Sequence, residues 1–176
     1  MQRVSILNPD LTLTMSQRPV PEPGPGEVLV RVKSIGVCGS DIHYFEHGRI
    51  ADFVVEGPLV LGHEASGVVE GLGDGVHDLA EGTTVAMEPG VPCGACHQCR
   101  SGRYNLCPDV KFFATPPIDG AFCEYVVLPR AFVHPVPTHV SLDAAALVEP
   151  LSVGVWACQK ANVSLGTRVV ITGCGP

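Results

Sequence analysis

Four cysteines fall within fifteen residues: Cys93, Cys96, Cys99 and Cys107, in the pattern C-x2-C-x2-C-x7-C. Thiolates at these spacings fold back around a single Zn²⁺ in tetrahedral geometry, and four sulfurs close the coordination shell to water. A closed shell is structural, because catalysis needs an open position on the metal. Gly94 and Gly102 supply freedom where the backbone must bend tightly. An iron–sulfur cluster uses the same donors and stays as a competing reading. Disulfides would suit a secreted chain. Met1–Pro9, however, carries no basic segment followed by an apolar run, so reduced, metal-holding cysteines and a cytoplasmic location are expected.

Around this lobe the chain reads as a soluble, mainly β protein. Gly and Pro are abundant (20 and 16 of 176 residues), which favours short strands and turns over long helices. The formal charge is −7 and only 16% of residues are charged. Phosphate binding needs clustered Lys and Arg, so nucleic acid is excluded as a partner. No stretch approaches the ~18 apolar residues of a membrane span, so a membrane is not expected either. Strands are expected at 3–7, 11–16, 27–32, 65–71, 83–87, 121–128 and 132–136. In 27–32 the alternation of Val28, Val30 and Val32 marks a half-buried face. Residues 39–47 read as a short irregular or helical segment, and 88–120 as loop. Ser141 reads as a helix cap, Pro150 as the start of a second helix running to about Ala161, and 168–172 as an apolar strand.

Three further segments carry metal-ligand chemistry: Cys38 in Gly36–His43, His63 and Glu64 after Gly62, and Glu149 before Pro150. Cys, His and Glu are ligand types of an open catalytic zinc. Singly, each also reads as a core cysteine, a packed histidine or a solvated acid, and spacing alone does not bring them together. His47, His77, His97, His134 and His139 read as packed or surface residues. Cys123 and Cys158 read as core packing.

Longer motifs, in order, decide between these readings. GVCGSDIHYFEHG (36–48), GHEASGVV (62–69), the cysteine lobe, ATPPIDGAFCEY (114–125) and EPLSVG (149–154) together resemble the zinc-containing medium-chain dehydrogenases, nearest their sorbitol and polyol branch. The resemblance covers essentially the whole chain. It implies a GroES-like β-barrel with a Cys₄ zinc lobe, followed by helices and the first strand of a truncated Rossmann domain. The implied boundaries are 1–148 for the catalytic domain, with the lobe at about 88–110, and 149–176 for the connecting helix and that strand.

The same resemblance implies that Cys38, His63 and Glu64 hold a catalytic zinc, with Glu149 a catalytic carboxylate beside the zinc-bound water, the two together a rival proton route. Cys93, Cys96, Cys99 and Cys107 would hold a second, structural zinc. Ser40 would contact the reacting alcohol oxygen, His43 would pass its proton to solvent, and Tyr44, Phe112, Thr115 and Glu149 would line the substrate pocket. Gly173 and Gly175, after 168–172, match the opening of a dinucleotide fingerprint whose third glycine and ribose-binding acid are not present. The implied complete protein is an NAD-dependent polyol dehydrogenase of sorbitol or xylitol type, a homo-oligomer and tetramer by branch. The 176 residues alone would be inactive and would expose apolar surface near 144–156. Threonine dehydrogenase or another alcohol dehydrogenase of the family is the nearest alternative. A zinc-stabilised binding module without catalysis is a further one.

Overall fold

The computed structural model describes residues 1–173. Strand β1 (Gln2–Leu7) pairs antiparallel with β2 (Leu13–Arg18), and β3 (Glu27–Gly36) leads into helix α1 (Gly39–His47). Short strands β4 (Arg49–Ile50), β5 (Phe53–Val54) and β6 (Leu59–Val60) precede the long β7 (Glu64–Leu72) and β8 (Thr84–Met87). The lobe follows, held between β9 (Gly90–Val91) and β10 (Lys111–Phe112), with a one-turn helix α2 (His97–Arg100) inside it. Strands β11 (Tyr125–Pro129) and β12 (Val133–Pro135) return to the main sheet, and α3 (Leu142–Ala146) and α4 (Val148–Lys160) end the ordered elements.

The main sheet runs β11-β3-β7-β8-β12, antiparallel throughout. Its alternation is the one the sequence predicts: Val28 and Val30 are fully buried, and Val32 packs against the same cluster. Leu128, Val69, Val85, Met87 and Val133 complete that core. Register shifts between Leu29 and Val30, and between Val32 and Ser34, put bulges in β3. Bulges bend and twist a strand, and here they curl the sheet into a half-barrel. A second core, Leu7, Tyr44, Val55, Leu59, Leu61 and Ala114, fills the space beneath α1.

The C-terminal helices dock through polar anchors. Ser141 Oγ accepts from Ala144 N at 3.1 Å, the expected cap. The fully buried Ser66 donates its hydroxyl to Leu142 O at 2.6 Å, and Ser34 Oγ donates to Asp143. These bonds hold α3 on β3 and β7. Helix α4 starts two residues earlier than Pro150. The proline occupies the first turn, where a missing N–H costs nothing because that donor has no intrahelical acceptor.

Several expectations are corrected. Residues 88–120 are not all loop, since β9, α2, a 3₁₀ turn at Tyr104–Leu106 and β10 lie within them. Residues 168–172 form no strand: the run is apolar, but no described segment pairs with it, and Val170 and Ile171 are 90% and 80% exposed. Cys158 is exposed rather than core, because no described element covers the last turn of α4. The expected apolar surface is there. Leu147, Val148, Leu151, Val153, Val155 and Trp156 are all exposed, with Lys160 Nζ 4.6 Å from the Trp156 ring centroid. Cys174 and Gly175 lie outside the described residues, while Gly173 has the left-handed φ of 90° expected of a glycine turn.

Two leucines test this account of the core. Leu128→Ala, at a side chain 1% exposed, is expected to cost about 2–5 kcal/mol in denaturant unfolding. Leu165→Ala, at a fully exposed leucine, should change stability by less than about 0.5 kcal/mol.

Candidate metal centres

The pairing of β3 with β7 builds the first centre. Its register ends at Gly36 opposite Glu64, so the chain leaving β3 towards Cys38 and the chain entering β7 from His63 run side by side. A Cβ on residue 36 would collide with the Glu64 carboxylate, so only glycine lets that carboxylate fold back over β3. Gly62 has φ 87°, and a Cβ there would lie 2.6 Å from Phe122 and 2.7 Å from Ile35. The left-handed turn at Gly62 then aims His63 towards Cys38. The three donor atoms of Cys38, His63 and Glu64 all lie within 4.8 Å of one another. His63 and Glu64 are 8% and 9% exposed.

One residue that the sequence reading passed over holds this arrangement together. Asp41, 2% exposed, accepts from Cys38 N at 3.0 Å through Oδ2 and from Gly62 N at 2.9 Å through Oδ1. Its Oδ1 also lies 3.9 Å from His63 Nδ1. The carboxyl thus bridges the two backbone segments that carry the donors and faces the histidine ring. The signal was present in the sequence, since Asp41 stands three residues after Cys38, where an acidic side chain reaches back to a helix N-terminus.

The other site residues fall around this cluster. Ser40 is half-buried in the first turn of α1, and His43 is exposed one turn further on. The Phe112 ring lies 5.6 Å from that of His63, centroid to centroid. Tyr44 is 4% exposed within the second core, and burial pushes its phenol pKa up. Thr115 is half-buried in the turn before the cis Pro116–Pro117 bond. Glu149, in the first turn of α4, feels both His63 and Glu64. Burial raises its carboxyl pKa, His63 opposes that, and Glu64 adds to it, so Glu149 holds its proton to higher pH than an ordinary glutamate. A pocket of ≈ 330 Å³ lies between residues 52–59 and Pro116–Pro117, and none of the three donors lines it.

The second centre is the lobe. All four sulfurs lie within 4.8 Å of one another, with Cys96–Cys99 at 3.4 Å and Cys93–Cys99 at 4.0 Å. A tetrahedron with metal–sulfur bonds of about 2.3 Å has edges of about 3.8 Å, so this donor set fits Zn²⁺. Backbone N–H groups of Ala95 and Cys96 draw the Cys93 thiol pKa down to about 7. Desolvation and the neighbouring Cys96 sulfur push that of Cys99 up to about 12. Four thiolates so close together need a cation to offset their repulsion. Asp41 and the Cys–His–Glu donor set make the first centre an equally good fit, since both borderline and oxygen donors suit Zn²⁺.

Residues 24–138 match the model of the alcohol dehydrogenase GroES-like domain. The chain belongs to that family. It is 53% identical to a chicken sorbitol dehydrogenase over 164 residues, which are 93% of this chain and 46% of that protein. The chain therefore spans about half the length of this relative. Among solved structures, an Escherichia coli oxidoreductase/dehydrogenase of unknown specificity superposes with a TM-score of 0.88 at 38% identity, over 94% of this chain and 48% of that one. An NAD-dependent alcohol dehydrogenase superposes at 0.81 with 34% identity, over 93% and 48%. The mainly β, GroES-like fold with a cysteine cluster is the one expected. No described helix is long and apolar enough to cross a membrane.

Asp41→Asn keeps the shape but sets an amide N–H₂ against a backbone N–H. Zinc affinity at Cys38–His63–Glu64 should fall about 10–100-fold, as for other groups that orient metal ligands. Competition with a chromophoric chelator would read this, and the lobe's metal should be retained.

Proposed function

We propose that this chain is the catalytic part of a zinc- and NAD-dependent dehydrogenase that oxidises a secondary alcohol of a polyol, sorbitol or xylitol type, to a ketose. The observation that carries the reading is the convergence of Cys38, His63 and Glu64, from two distant segments, with the Glu149 carboxyl close enough to feel both His63 and Glu64. A pure binding module has no need of such a cluster beside a separate cysteine tetrad. The sorbitol dehydrogenase relative supports the polyol class, and the NAD-dependent structural neighbour supports the cofactor.

Two zincs per chain are proposed, one in each cluster. Bound by Cys38, His63 and Glu64, Zn²⁺ would act as a Lewis acid that lowers the proton affinity of an alcohol oxygen. One thiolate and one carboxylate offset the ion's charge, and a neutral His63 preserves part of its positive character. The alcohol's O–H proton passes to Ser40 Oγ and on to His43, whose exposure gives it a route to water. A bound nicotinamide would supply the hydride acceptor, taking the hydrogen of the carbinol carbon as the ketone C=O forms. Phe112, whose ring lies 5.6 Å from that of His63, is proposed to bound the substrate together with Tyr44, Thr115 and Glu149.

The proposed boundaries are 1–148 for the catalytic domain and 149–176 for the start of the dinucleotide-binding domain, with Gly173 and Gly175 at the cofactor. A cytoplasmic, tetrameric complete enzyme and an inactive isolated chain complete the reading.

The test is an assay of the complete enzyme with NAD against sorbitol, xylitol, threonine and simple alcohols, alongside metal analysis. Polyols are expected to give the highest kcat/KM, with two zincs per subunit. Cys38→Ser should leave one zinc and no measurable turnover. Full turnover with the first centre empty, or a preference for threonine, would overturn the reading. Cys93→Ser should leave the first centre's zinc in place but lower thermal stability through loss of the lobe's metal.

A further inference from the structure

Helix α1 carries a second pair of metal-ligand side chains on its outer face. His43 and His47 stand four residues apart, so they lie on one side of the helix, one turn apart. Both are exposed, and their ring centroids are 4.5 Å apart with the planes at 68°. Among the described residues neither ring makes a hydrogen bond. The nearest acid is Glu46, whose Oε2 lies 3.9 Å from His47 Nε2. His134 differs, with Nε2 3.1 Å from Glu88 Oε2.

Two histidines at i and i+4 of a helix form a chelating pair, the geometry that metalloproteases use for two of their zinc ligands. With metal–nitrogen bonds of about 2.0–2.1 Å and a ring radius of about 1.2 Å, each centroid sits about 3.2 Å from the ion. A right-angled N–metal–N arrangement then separates the centroids by about 4.5 Å. The observed centroid spacing equals this value, and rotation of the two rings about their side-chain bonds would bring a nitrogen of each to one ion. The helix is well fixed at this point, since Gly48 closes it in the left-handed conformation and its N–H donates to Tyr44 O at 2.8 Å. Glu46 places a carboxylate beside His47 alone.

We propose that His43 and His47 together form a surface site that chelates one divalent late-first-row cation, such as Ni²⁺, Cu²⁺ or Zn²⁺, apart from the two thiol-containing centres. Imidazole suits these ions, and two such donors on a preset helix turn bind as one unit. Such a site goes beyond the dehydrogenase reading, and a cation held there would occupy the imidazole to which that reading gives the outgoing proton.

The test is a titration, with Ni²⁺ at neutral pH, of the chain holding two zincs in its thiol-containing centres and stripped of excess zinc, followed by calorimetry, with metal analysis on the same samples. Ni²⁺ avoids redox chemistry with the free thiols. The wild-type chain should bind one Ni²⁺ without releasing zinc. His47→Gln should weaken that binding on the order of a hundredfold, the gain expected from linking two donors. His77→Gln, at an exposed histidine with no such neighbour, should bind as the wild type does. Wild-type Ni²⁺ affinity in His47→Gln, no Ni²⁺ uptake by the wild type, or uptake matched by zinc loss would each overturn the proposal.

Discussion

The two hydrogen bonds that Asp41 accepts, from Cys38 N and Gly62 N, tie the end of β3 to the start of β7 at the point where both strands hand over to donor residues. Both strands are already in register through Gly36 and Glu64. The register, though, fixes only the strands. The turns beyond them need a buried acceptor, because a buried N–H without a partner costs about 1–3 kcal/mol. Asp41 meets that need twice and faces His63 with the same oxygen that accepts from Gly62. A single buried carboxyl therefore satisfies two backbone donors and faces the ring of a candidate metal ligand, and a mutation at that residue disturbs both at once.

The lobe depends on the barrel and returns something to it. Its neck is the two-residue pair of β9 and β10, too short to be stable alone, and a filled Cys₄ tetrad would close the loop that the neck begins. The last residue of that neck is Phe112, whose ring stacks at a tilt near His63. The Tyr104 ring meets Phe132 edge-on at 6.3 Å and its hydroxyl interacts with Glu88, so the lobe also leans on the barrel away from its neck. The neck thus joins the lobe to the cluster of Cys38, His63 and Glu64, with no donor shared between the two.

Much of this was legible in the sequence, and the residues show why. The cysteine spacing predicts a tetrad because all four donors are local. The alternation of Val28 and Val30 predicts a buried face because a strand's period is fixed by its backbone. Cys38, His63 and Glu64 could be named by likeness to a family, yet no spacing rule brings 38 next to 63. That contact comes from β3–β7 pairing, a long-range event. Asp41 was missed because its partners are backbone N–H groups, which leave no mark on composition. Residues 168–172 were read as a strand from apolar character, but a strand is made by its neighbour, and none of the described segments supplies one.

Glu149 shows how far the reach of that sheet extends. It belongs to neither segment of the first centre and arrives on α4, which α3 delivers. α3 in turn is pinned by the buried Ser66 hydroxyl on β7 and by Ser34 on β3. Ser34 and Ser66 are themselves a register pair across β3 and β7. The pairing that juxtaposes Cys38 with His63 and Glu64 therefore also carries the anchors that bring a fourth acidic or metal-binding side chain to the same place. Burial and the Glu64 charge keep that carboxyl protonated to higher pH than usual, an arrangement that costs folding free energy once it ionises and that a cation among these side chains would relieve.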